Sequence, residues 1–393
     1  MIVLRNVNLV DVINLRIIER VNLVVEQGVI ASICDKDHTI LEDQACSLDL
    51  DGYFATPGLI DLHTHLIWSA GDDPVKTVED EGPQLSLLRA AHNARLTLNQ
   101  GITCVRDLGS NDDATIALAK SIDRGYVPGP RVISAGCTII MTGGHDPFWG
   151  IAADGPFELV KAVRNQIRKG ARVIKISATG GVYGRQEGEE VGTSELTCEE
   201  IRVICQEAHR FGLKVAAHAI SEEGIRNCIE AGVDTIEHGH FLTQEMMLRM
   251  KEQGMFWVPT LYVYQRIAEG DGVPEYAANK ARKITGSHGE AFRVALNLEL
   301  PFGAGSDAGS PNTPHGALLS ELETMVACGC HPFSALQSAT FTAARALGLE
   351  REIGALDVGK KADILILEKD PTCDIANLRN LRHIIKDGVF VER

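Results

Sequence analysis

Residues 56–65 read Thr56-Pro57-Gly58-Leu59-Ile60-Asp61-Leu62-His63-Thr64-His65, an apolar run that ends in a His-x-His pair. The short apolar run after a Pro-Gly turn predicts a β-strand. Because residues two apart in a strand point to the same face, His63 and His65 direct both imidazoles towards one point. That arrangement suits a metal ion, although the motif alone also fits two surface histidines after a strand.

Beyond this stretch, short apolar strands alternate with amphipathic helices, such as those predicted over 199–210 and 222–229. Eight strands are predicted, at 58–62, 103–107, 131–134, 173–177, 215–218, 235–238, 256–259 and 302–307. Eight such alternations predict an α/β fold, a (β/α)8 TIM barrel over residues 57–353. An open doubly wound sheet is the alternative.

The two ends of the chain predict strands instead of helices. The candidate strands, rich in β-branched and aliphatic residues, lie at 2–4, 16–18, 21–25, 363–367 and 381–385. Turn residues, such as Asp387-Gly388, separate or follow them. We therefore expect residues 1–56 and 354–393 to pair into one small β domain of the sandwich type beside the barrel.

Composition restricts the class of protein and its partners. The chain has 393 residues, 45% hydrophobic and 23% charged, which excludes a disordered chain, a collagen and a coiled coil. The net charge of −15 argues against a nucleic-acid partner. With no run of about 18 apolar residues, no secretory signal and no CxxC pair, we expect a cytoplasmic protein without a membrane partner. A homo-oligomer stays open.

Three further polar residues fall at the ends of predicted strands. His218 and His238 each close a short apolar run, and Asp307 follows Gly-Ser. Singly, each histidine also fits a satisfied core residue, and the aspartate fits a turn or helix cap. In a barrel, however, the carboxyl ends of the strands meet at the active-site mouth. These side chains would therefore lie close to the His-x-His pair.

Lys175 lies inside the apolar run Val173-Ile174-Lys175-Ile176. Burying a free ammonium is costly, so this lysine either extends to solvent or is neutralised. Reaction with CO₂ would convert its amine into a carbamate whose two oxygens can bridge two metal ions. Four histidines, one aspartate and one lysine share a placement that independent accidents would not produce. The whole set therefore favours a metal centre.

Two motifs resemble the signatures of the amidohydrolase superfamily. Residues 56–65 resemble its opening signature, and Gly354-Ala355-Leu356-Asp357-Val358-Gly359-Lys360-Lys361-Ala362-Asp363-Ile364 resembles its closing β-domain signature. The resemblance covers nearly the whole chain. It is strongest to the binuclear branch with prolidase-like and arginine or lysine carboxypeptidase-like enzymes, near imidazolonepropionase.

The resemblance implies two divalent metal ions. Six ligands match in chain order: His63, His65, Lys175, His218, His238 and Asp307. The first two histidines and Asp307 would hold one ion, the other two histidines the second, and carbamylated Lys175 and a hydroxide would bridge them. Asp307 would serve as general base and then general acid. Zn²⁺ suits these ligands, while Mn²⁺, Fe²⁺ and Co²⁺ stay open.

Substrate-binding candidates lie in two loops. The resemblance implies that His145, after Thr142-Gly143-Gly144, contacts a carboxylate of the substrate. Tyr183 and Arg185 follow a glycine-rich segment after Lys175, and Arg185 could pair with the same carboxylate. His145 and Arg185 also fit ordinary loop residues.

One position departs from the peptidase-like pattern. Those enzymes often carry a tyrosine two residues after the histidine that matches His218, and Ile220 stands there. Tyr262 or Tyr264 is a candidate replacement for the missing donor. The departure weakens the case for a prolidase or a basic-residue carboxypeptidase.

The sequence thus predicts a metal-dependent hydrolase that cleaves a small-molecule amide, a dipeptide or an N-acyl amino acid with a free carboxylate. A cyclic-amide or carbamate hydrolase on the same scaffold is the second enzymatic hypothesis. A non-catalytic metal-binding barrel is the alternative from another class. A nucleotide-binding oxidoreductase lacks its glycine fingerprint, because Ala308 follows Gly303-Ala304-Gly305 where a further glycine would be needed.

Overall fold

The computed structural model describes residues 1–35, 46–184 and 189–392, which form a mixed α/β fold. The strands are β1 (Ile2–Asp11), β2 (Arg16–Glu26), β3 (Val29–Asp35), β4 (Cys46–Asp49), β5 (Phe54–Pro57), β6 (Leu59–Thr64), β7 (Ile102–Asp107), β8 (Arg131–Ser134), β9 (Thr138–Ile140), β10 (Gly150–Ala152), β11 (Val173–Ser177), β12 (Lys214–Ala219), β13 (Thr235–His238), β14 (Phe256–Val258), β15 (Ile364–Leu367), β16 (Leu381–Lys386) and β17 (Val389–Phe390).

The helices lie mainly between the central strands. They are α1 (Pro74–Asn99), α2 (Ala114–Asp123), α3 (Gly155–Lys169), α4 (Cys198–Arg210), α5 (Glu222–Ala231), α6 (Gln244–Gln253), α7 (Leu261–Glu269), α8 (Glu275–Asn297), α9 (Leu318–Ala327), α10 (Pro332–Ser338), α11 (Phe341–Leu347) and a 3₁₀ helix at Ile375–Arg379. Within the described ranges, we find no helix whose length and apolar character would suffice to cross a membrane.

Strands from both ends of the chain share one sheet, in the order β17-β16-β15-β5-β1-β2-β3, with β4 also paired to β1. The link between the ends is antiparallel pairing of β15 with β5, which places Ile364 opposite Pro57. Where the sequence predicts a sandwich, the described strands form one continuous sheet, and an apolar cluster that includes Leu4, Leu23 and Ile366 packs on it. The domain boundaries at 56/57 and 353/354 stay predictions.

The central strands form two parallel sheets, β6-β7-β8 and β10-β9-β11-β12-β13-β14. A backbone hydrogen bond lies in each of the two gaps between these sheets. Next to β8, the Arg172 amide donates to the Ser134 carbonyl, and next to β6, the Leu62 amide donates to the Ala304 carbonyl. The parallel strands and intervening helices confirm the α/β class. Closure into one eight-stranded barrel stays a prediction.

The predicted strand at 302–307 is not a regular strand. Among the described residues, its one β-bridge joins Phe302 to Trp257. Its glycines allow very close packing: a Cβ at Gly303 would lie 2.3 Å from Leu62 Cδ1, and one at Gly305 would lie 2.9 Å from His63 Cβ. Close approach of this kind requires glycine, which weakens regular strand geometry.

Helix α4 illustrates how local sequence sets the surrounding helices. The Thr197 hydroxyl accepts a hydrogen bond from the Glu200 amide, and the Glu200 carboxylate accepts one from the Thr197 amide, which is a capping box. Ile201 and Ile204 then face the core. The helices predicted over 199–210 and 222–229 are thereby confirmed as α4 and α5.

An arginine connects the three-stranded sheet to the terminal sheet. Arg131, at the start of β8, donates to Asp363 Oδ2 at 2.9 Å and to Asp387 Oδ1 at 2.6 Å. The Asp387 amide in turn donates to Asp363 Oδ1 at 2.8 Å. The arginine and Asp363 are largely buried, so these charges depend on one another for solvation.

We expect Arg131→Met to lower the free energy of unfolding by about 3 kcal/mol, because it leaves the buried Asp363 carboxylate without its cation. Chemical denaturation measures the change. Arg172→Met is the matched control, since the ion pair of Arg172 with Asp123 is exposed and such pairs are worth about 0–1 kcal/mol. Equal losses in the two variants would contradict the role of Arg131.

Candidate functional site

All six predicted metal ligands line one cavity at the carboxyl ends of the central strands. They are His63, His65, Lys175, His218, His238 and Asp307. Each is buried, with at most 8% of its surface exposed. The placement follows from the parallel strands, which all end on the same side of the sheet.

His63, His65 and Asp307 form the tightest group. Asp307 Oδ1 lies 3.2 Å from His65 Nε2 and 3.8 Å from His63 Nε2, and one ligand atom from each residue lies within 4.8 Å of the others. Two imidazoles and a carboxylate are a donor set that a divalent cation accepts. Burial alone would raise the pKa of Asp307, but His63 and His65 hold that pKa well below its ordinary value. The residues present therefore fit a metal ion.

A buried carboxylate orients His63. Glu237 Oε2 lies 2.9 Å from His63 Nδ1, so Nδ1–H donates there and Nε2 faces Asp307. Glu237 Oε1 accepts from Arg106 Nη2 at 2.7 Å, and Arg106 Nε donates to the Leu62 carbonyl at 2.6 Å. Burial raises the pKa of Glu237, but Arg106 and His63 outweigh it and lower the pKa to about 2.

The sequence prediction missed Glu237 and Arg106. Each lies inside an apolar strand, β13 and β7, where a charged residue is as unusual as Lys175 in β11. That signal could have identified them as charged groups with buried partners.

The other two predicted histidine ligands are also held by one ring nitrogen. His238 Nδ1 lies 2.8 Å from the Thr260 hydroxyl, and His218 Nε2 lies 3.3 Å from the Gly180 carbonyl oxygen. The ring centroids of His218 and His238 are 4.7 Å apart. Burial, reinforced by neighbouring cationic groups, lowers the pKa of both well below the ordinary value. Both are therefore neutral imidazoles, the form that binds metals.

Lys175 is almost completely buried beside these histidines, with 2% of its surface exposed. Burial lowers the pKa of its amine, while Glu237, Asp146 and Asp307 oppose that shift. The side chain therefore lies inside the cavity and does not extend to bulk solvent.

Four residues at or beside the cavity have strained backbones. Asp146, His238, Thr260 and Asp307 all adopt left-handed backbone conformations, with φ of 64°, 69°, 51° and 56°. Such conformations cost roughly 1–3 kcal/mol each in residues other than glycine, and they cluster at functional sites. For the β-branched Thr260 the conformation is a genuine outlier.

His145 occupies the side of the cavity next to His218, with ring centroids 4.3 Å apart. Its Nδ1 lies 2.5 Å from Glu189 Oε1 and its Nε2 lies 3.3 Å from Asp146 Oδ1, while its amide donates to Glu195. Burial lowers the pKa of His145, but these carboxylates outweigh it and raise the pKa to about 9. The ring is therefore an imidazolium at neutral pH.

Of the two predicted residues in the loop after β11, Tyr183 lines the cavity and donates its hydroxyl hydrogen to Asp73 Oδ1 at 2.8 Å. Arg185 lies outside the described residues. The cationic group expected to pair with a substrate carboxylate is thus represented in the described cavity by His145.

The two candidate tyrosines of α7 differ in position. Tyr264 lines the cavity, whereas Tyr262 lies at the start of the helix, where its amide donates to Glu321 Oε2 at 2.7 Å. Ile220 is fully buried and packs in an apolar cluster with Tyr264. Val182 and Ile267 of the same cluster line the cavity beside Tyr264, so this side of the cavity is largely apolar.

Aromatic rings line the cavity next to His65. Trp149 stacks on His65 with centroids 4.6 Å apart, and Trp68 lies 4.4 Å from Trp149. The ring centroids of Trp68 and Tyr183 are 5.8 Å apart in a T-shaped arrangement. These rings restrict the movement of His65 and exclude water from one side of the cavity.

We expect Glu237→Gln to lower metal affinity about 10- to 100-fold, because the amide cannot serve as an anionic acceptor for His63 Nδ1–H and Arg106 together. Elemental analysis after dialysis against a graded metal buffer measures the loss. Glu230→Gln, at an exposed glutamate, is the control. Unchanged metal affinity in Glu237→Gln would rule out this orienting role.

Comparison with known proteins gives one family model, described as the amidohydrolase family, which matches residues 54–391. An ochratoxinase from Aspergillus niger is 31% identical over 368 residues, covering 84% of this chain and 74% of the relative. An imidazolonepropionase from Geobacillus thermodenitrificans is 24% identical, covering 96% of this chain and 91% of the relative. The solved structure of a Xaa-Pro dipeptidase with bound methionine in its active site has a TM-score of 0.90 and 30% identity, covering 100% of both chains.

Proposed function

We propose substrates for this chain, which belongs to the amidohydrolase family and is a metal-dependent amide hydrolase. The proposed substrates are dipeptides or N-acyl amino acids with a free carboxylate. The observation that carries the proposal is the cationic ring of His145 beside the predicted metal ligands, because a substrate carboxylate would replace Asp146, 3.3 Å away, as the partner of its Nε2–H. The likeness to the Xaa-Pro dipeptidase supports it.

We propose further that the six ligands hold two divalent ions, with Zn²⁺ as the expected metal and Lys175 as a carbamate between them. The buried amine of Lys175 supports this part, since burial lowers its pKa and so favours the neutral amine, the form that reacts with CO₂. We also propose that the two parallel sheets close into one (β/α)8 barrel. The hydrogen bonds of Arg172 with Ser134 and of Leu62 with Ala304 across the two gaps support it.

When bound, the metal ions make a water molecule nucleophilic and polarise the scissile carbonyl. Asp307 is placed to accept the proton of that water and to return it to the leaving amine. Ser310 donates its hydroxyl hydrogen to Asp307 Oδ1 at 3.1 Å, which fixes the orientation of the carboxylate. His145 holds the substrate carboxylate, and Trp68 and Trp149 exclude bulk water.

A second candidate is a cyclic-amide hydrolase. Ile220 favours it, because the peptidase-like tyrosine is missing there, and the imidazolonepropionase relative supports it. A panel of N-acyl amino acids and dipeptides against cyclic ureides separates the two candidates. Turnover of ring substrates alone would reject the dipeptide proposal.

We expect Asp307→Asn to reduce kcat about 10²- to 10⁴-fold, since the amide can neither accept nor return the proton. Steady-state hydrolysis of the best substrate measures the loss, and circular dichroism checks the fold. Asp271→Asn, at an exposed loop position, is the control and should keep full activity. Near-normal kcat in Asp307→Asn would contradict the assigned proton transfer.

Chelation should abolish turnover, and stoichiometric Zn²⁺ should restore it, because the nucleophile depends on the metal. Metal content and activity are followed together during removal and reconstitution. Mass spectrometry of native protein, with and without added bicarbonate, tests the carbamate on Lys175. Activity that survives complete removal of metal would overturn the mechanism.

A further inference from the structure

A buried carboxylate holds the ring of His145. Glu189 Oε1 lies 2.5 Å from His145 Nδ1, and the side chain of Glu189 has no exposed surface. Because Nδ1–H donates to this carboxylate, the other ring nitrogen, Nε2, is the one that lies beside Asp146 at the cavity. Glu189 therefore determines which nitrogen of His145 is left for a ligand in the cavity.

The same carboxylate oxygen holds the loop after β11. Glu189 Oε1 also accepts a hydrogen bond from the Gly181 amide at 2.7 Å. The carbonyl of the same peptide group, that of Gly180, accepts a hydrogen bond from His218 Nε2 at 3.3 Å. One peptide group thus connects Glu189 to a predicted metal ligand. Since Nε2 of His218 is taken by this carbonyl, Nδ1 is the nitrogen left to bind a metal ion.

The backbone of this loop lies directly against the two side chains. A Cβ at Gly181 would fall 2.3 Å from Cε1 of His145, and one at Gly184 would fall 2.4 Å from Oε2 of Glu189. Such close approach of the backbone requires glycine. The contact between His145 and Glu189 is therefore covered by protein, and protein groups set its geometry.

Asp146 meets the same ring in a different way. Its Oδ1 lies 3.3 Å from His145 Nε2, which is longer than the 2.5 Å contact of Glu189, and Asp146 lines the cavity. Its Oδ2 accepts a hydrogen bond from the Ser177 hydroxyl at 2.8 Å. Asp146 therefore keeps a partner when a substrate carboxylate takes its place at Nε2. Glu189 is the permanent partner of the ring, and Asp146 is the exchangeable one.

We propose that Glu189 is a positioning residue with two effects. It presents Nε2–H of His145 to the substrate carboxylate, and through the peptide group between Gly180 and Gly181 it holds His218 in the orientation that binds metal. This inference rests on the proposed function, because it takes a substrate with a free carboxylate. Glu189 then touches neither substrate nor metal, but it fixes the carboxylate site and the second metal position relative to each other.

Three variants separate the two effects. Glu189→Met removes the carboxylate at nearly the same volume, and His145→Phe removes the ring nitrogens but keeps a ring against His218. Glu190→Gln changes the adjacent exposed glutamate and is the control. Circular dichroism checks that each variant is folded. Glu189→Gln, which keeps one neutral acceptor, takes the place of Glu189→Met if that variant does not fold.

Calorimetry at saturating metal measures the first effect. The probe is the free amino acid released from the best substrate, which carries the carboxylate and is not turned over. We expect Glu189→Met and His145→Phe each to weaken its binding at least about tenfold, because each loses a charge-assisted hydrogen bond. In the double variant the two losses should not add, since Glu189 acts through His145. Glu190→Gln should bind the amino acid as the wild type does.

Metal content after dialysis against a graded metal buffer measures the second effect. Glu189→Met should hold one of the two ions about tenfold more weakly, because the carbonyl that orients His218 is no longer fixed. His145→Phe and Glu190→Gln should keep wild-type affinity for both ions, since the Gly181 amide still donates to Glu189 in these variants.

Wild-type binding of the amino acid by Glu189→Met, or losses that add in the double variant, would overturn the first effect. Wild-type metal affinity in Glu189→Met, or an equal loss in His145→Phe, would overturn the second. Failure of the proposed function gives a different result, in which the wild type cleaves cyclic ureides and neither N-acyl amino acids nor dipeptides. The first effect is then rejected with it, while metal content still decides whether Glu189 holds His218.

Discussion

The buried Glu237 carboxylate joins three elements that meet at the site. It lies in β13, accepts from Arg106 of β7, and orients His63 of β6. Because β6 and β7 belong to one parallel sheet and β13 to the other, the contacts of Glu237 span the interior between the two sheets. Charges buried to this extent are tolerated only when every partner is present. The geometry of the first predicted metal position therefore depends on contacts formed behind it.

The position of His238 likewise depends on contacts behind the site. Its partner Thr260 has a strained backbone, and the two amides that follow, those of Leu261 and Tyr262, both donate to the Glu321 carboxylate of α9. Burial raises the pKa of Glu321 to about 8 although the two amides oppose that shift, so ionising this buried acceptor is unfavourable. The strained backbone at the site is thus held by hydrogen bonds donated to a helix that contributes no predicted ligand.

Most of the strands, and the common location of the six ligand candidates, could be predicted from the sequence, because each follows from local patterns. An apolar strand with a polar residue at its end is visible in five or six letters, and parallel strands place such ends side by side. The contact of Glu237 with His63 joins residues 174 positions apart, and no local period encodes it. The choice between Tyr262 and Tyr264 depends on where α7 begins, which the sequence does not specify to one residue. The irregular segment at 302–308 arises from tight packing that a strand pattern cannot express.

That segment has a consequence for which sequence changes the protein can tolerate. Gly305 lies against His63 and Val258, where an added methyl group would fall 2.6 Å from Val258 Cγ1 and 3.1 Å from the His63 amide nitrogen. Even alanine would displace a backbone that carries Asp307 two residues later. Substitution of this glycine would therefore first cause loss of bound metal and of turnover, and measurements of stability alone would not reveal the cause.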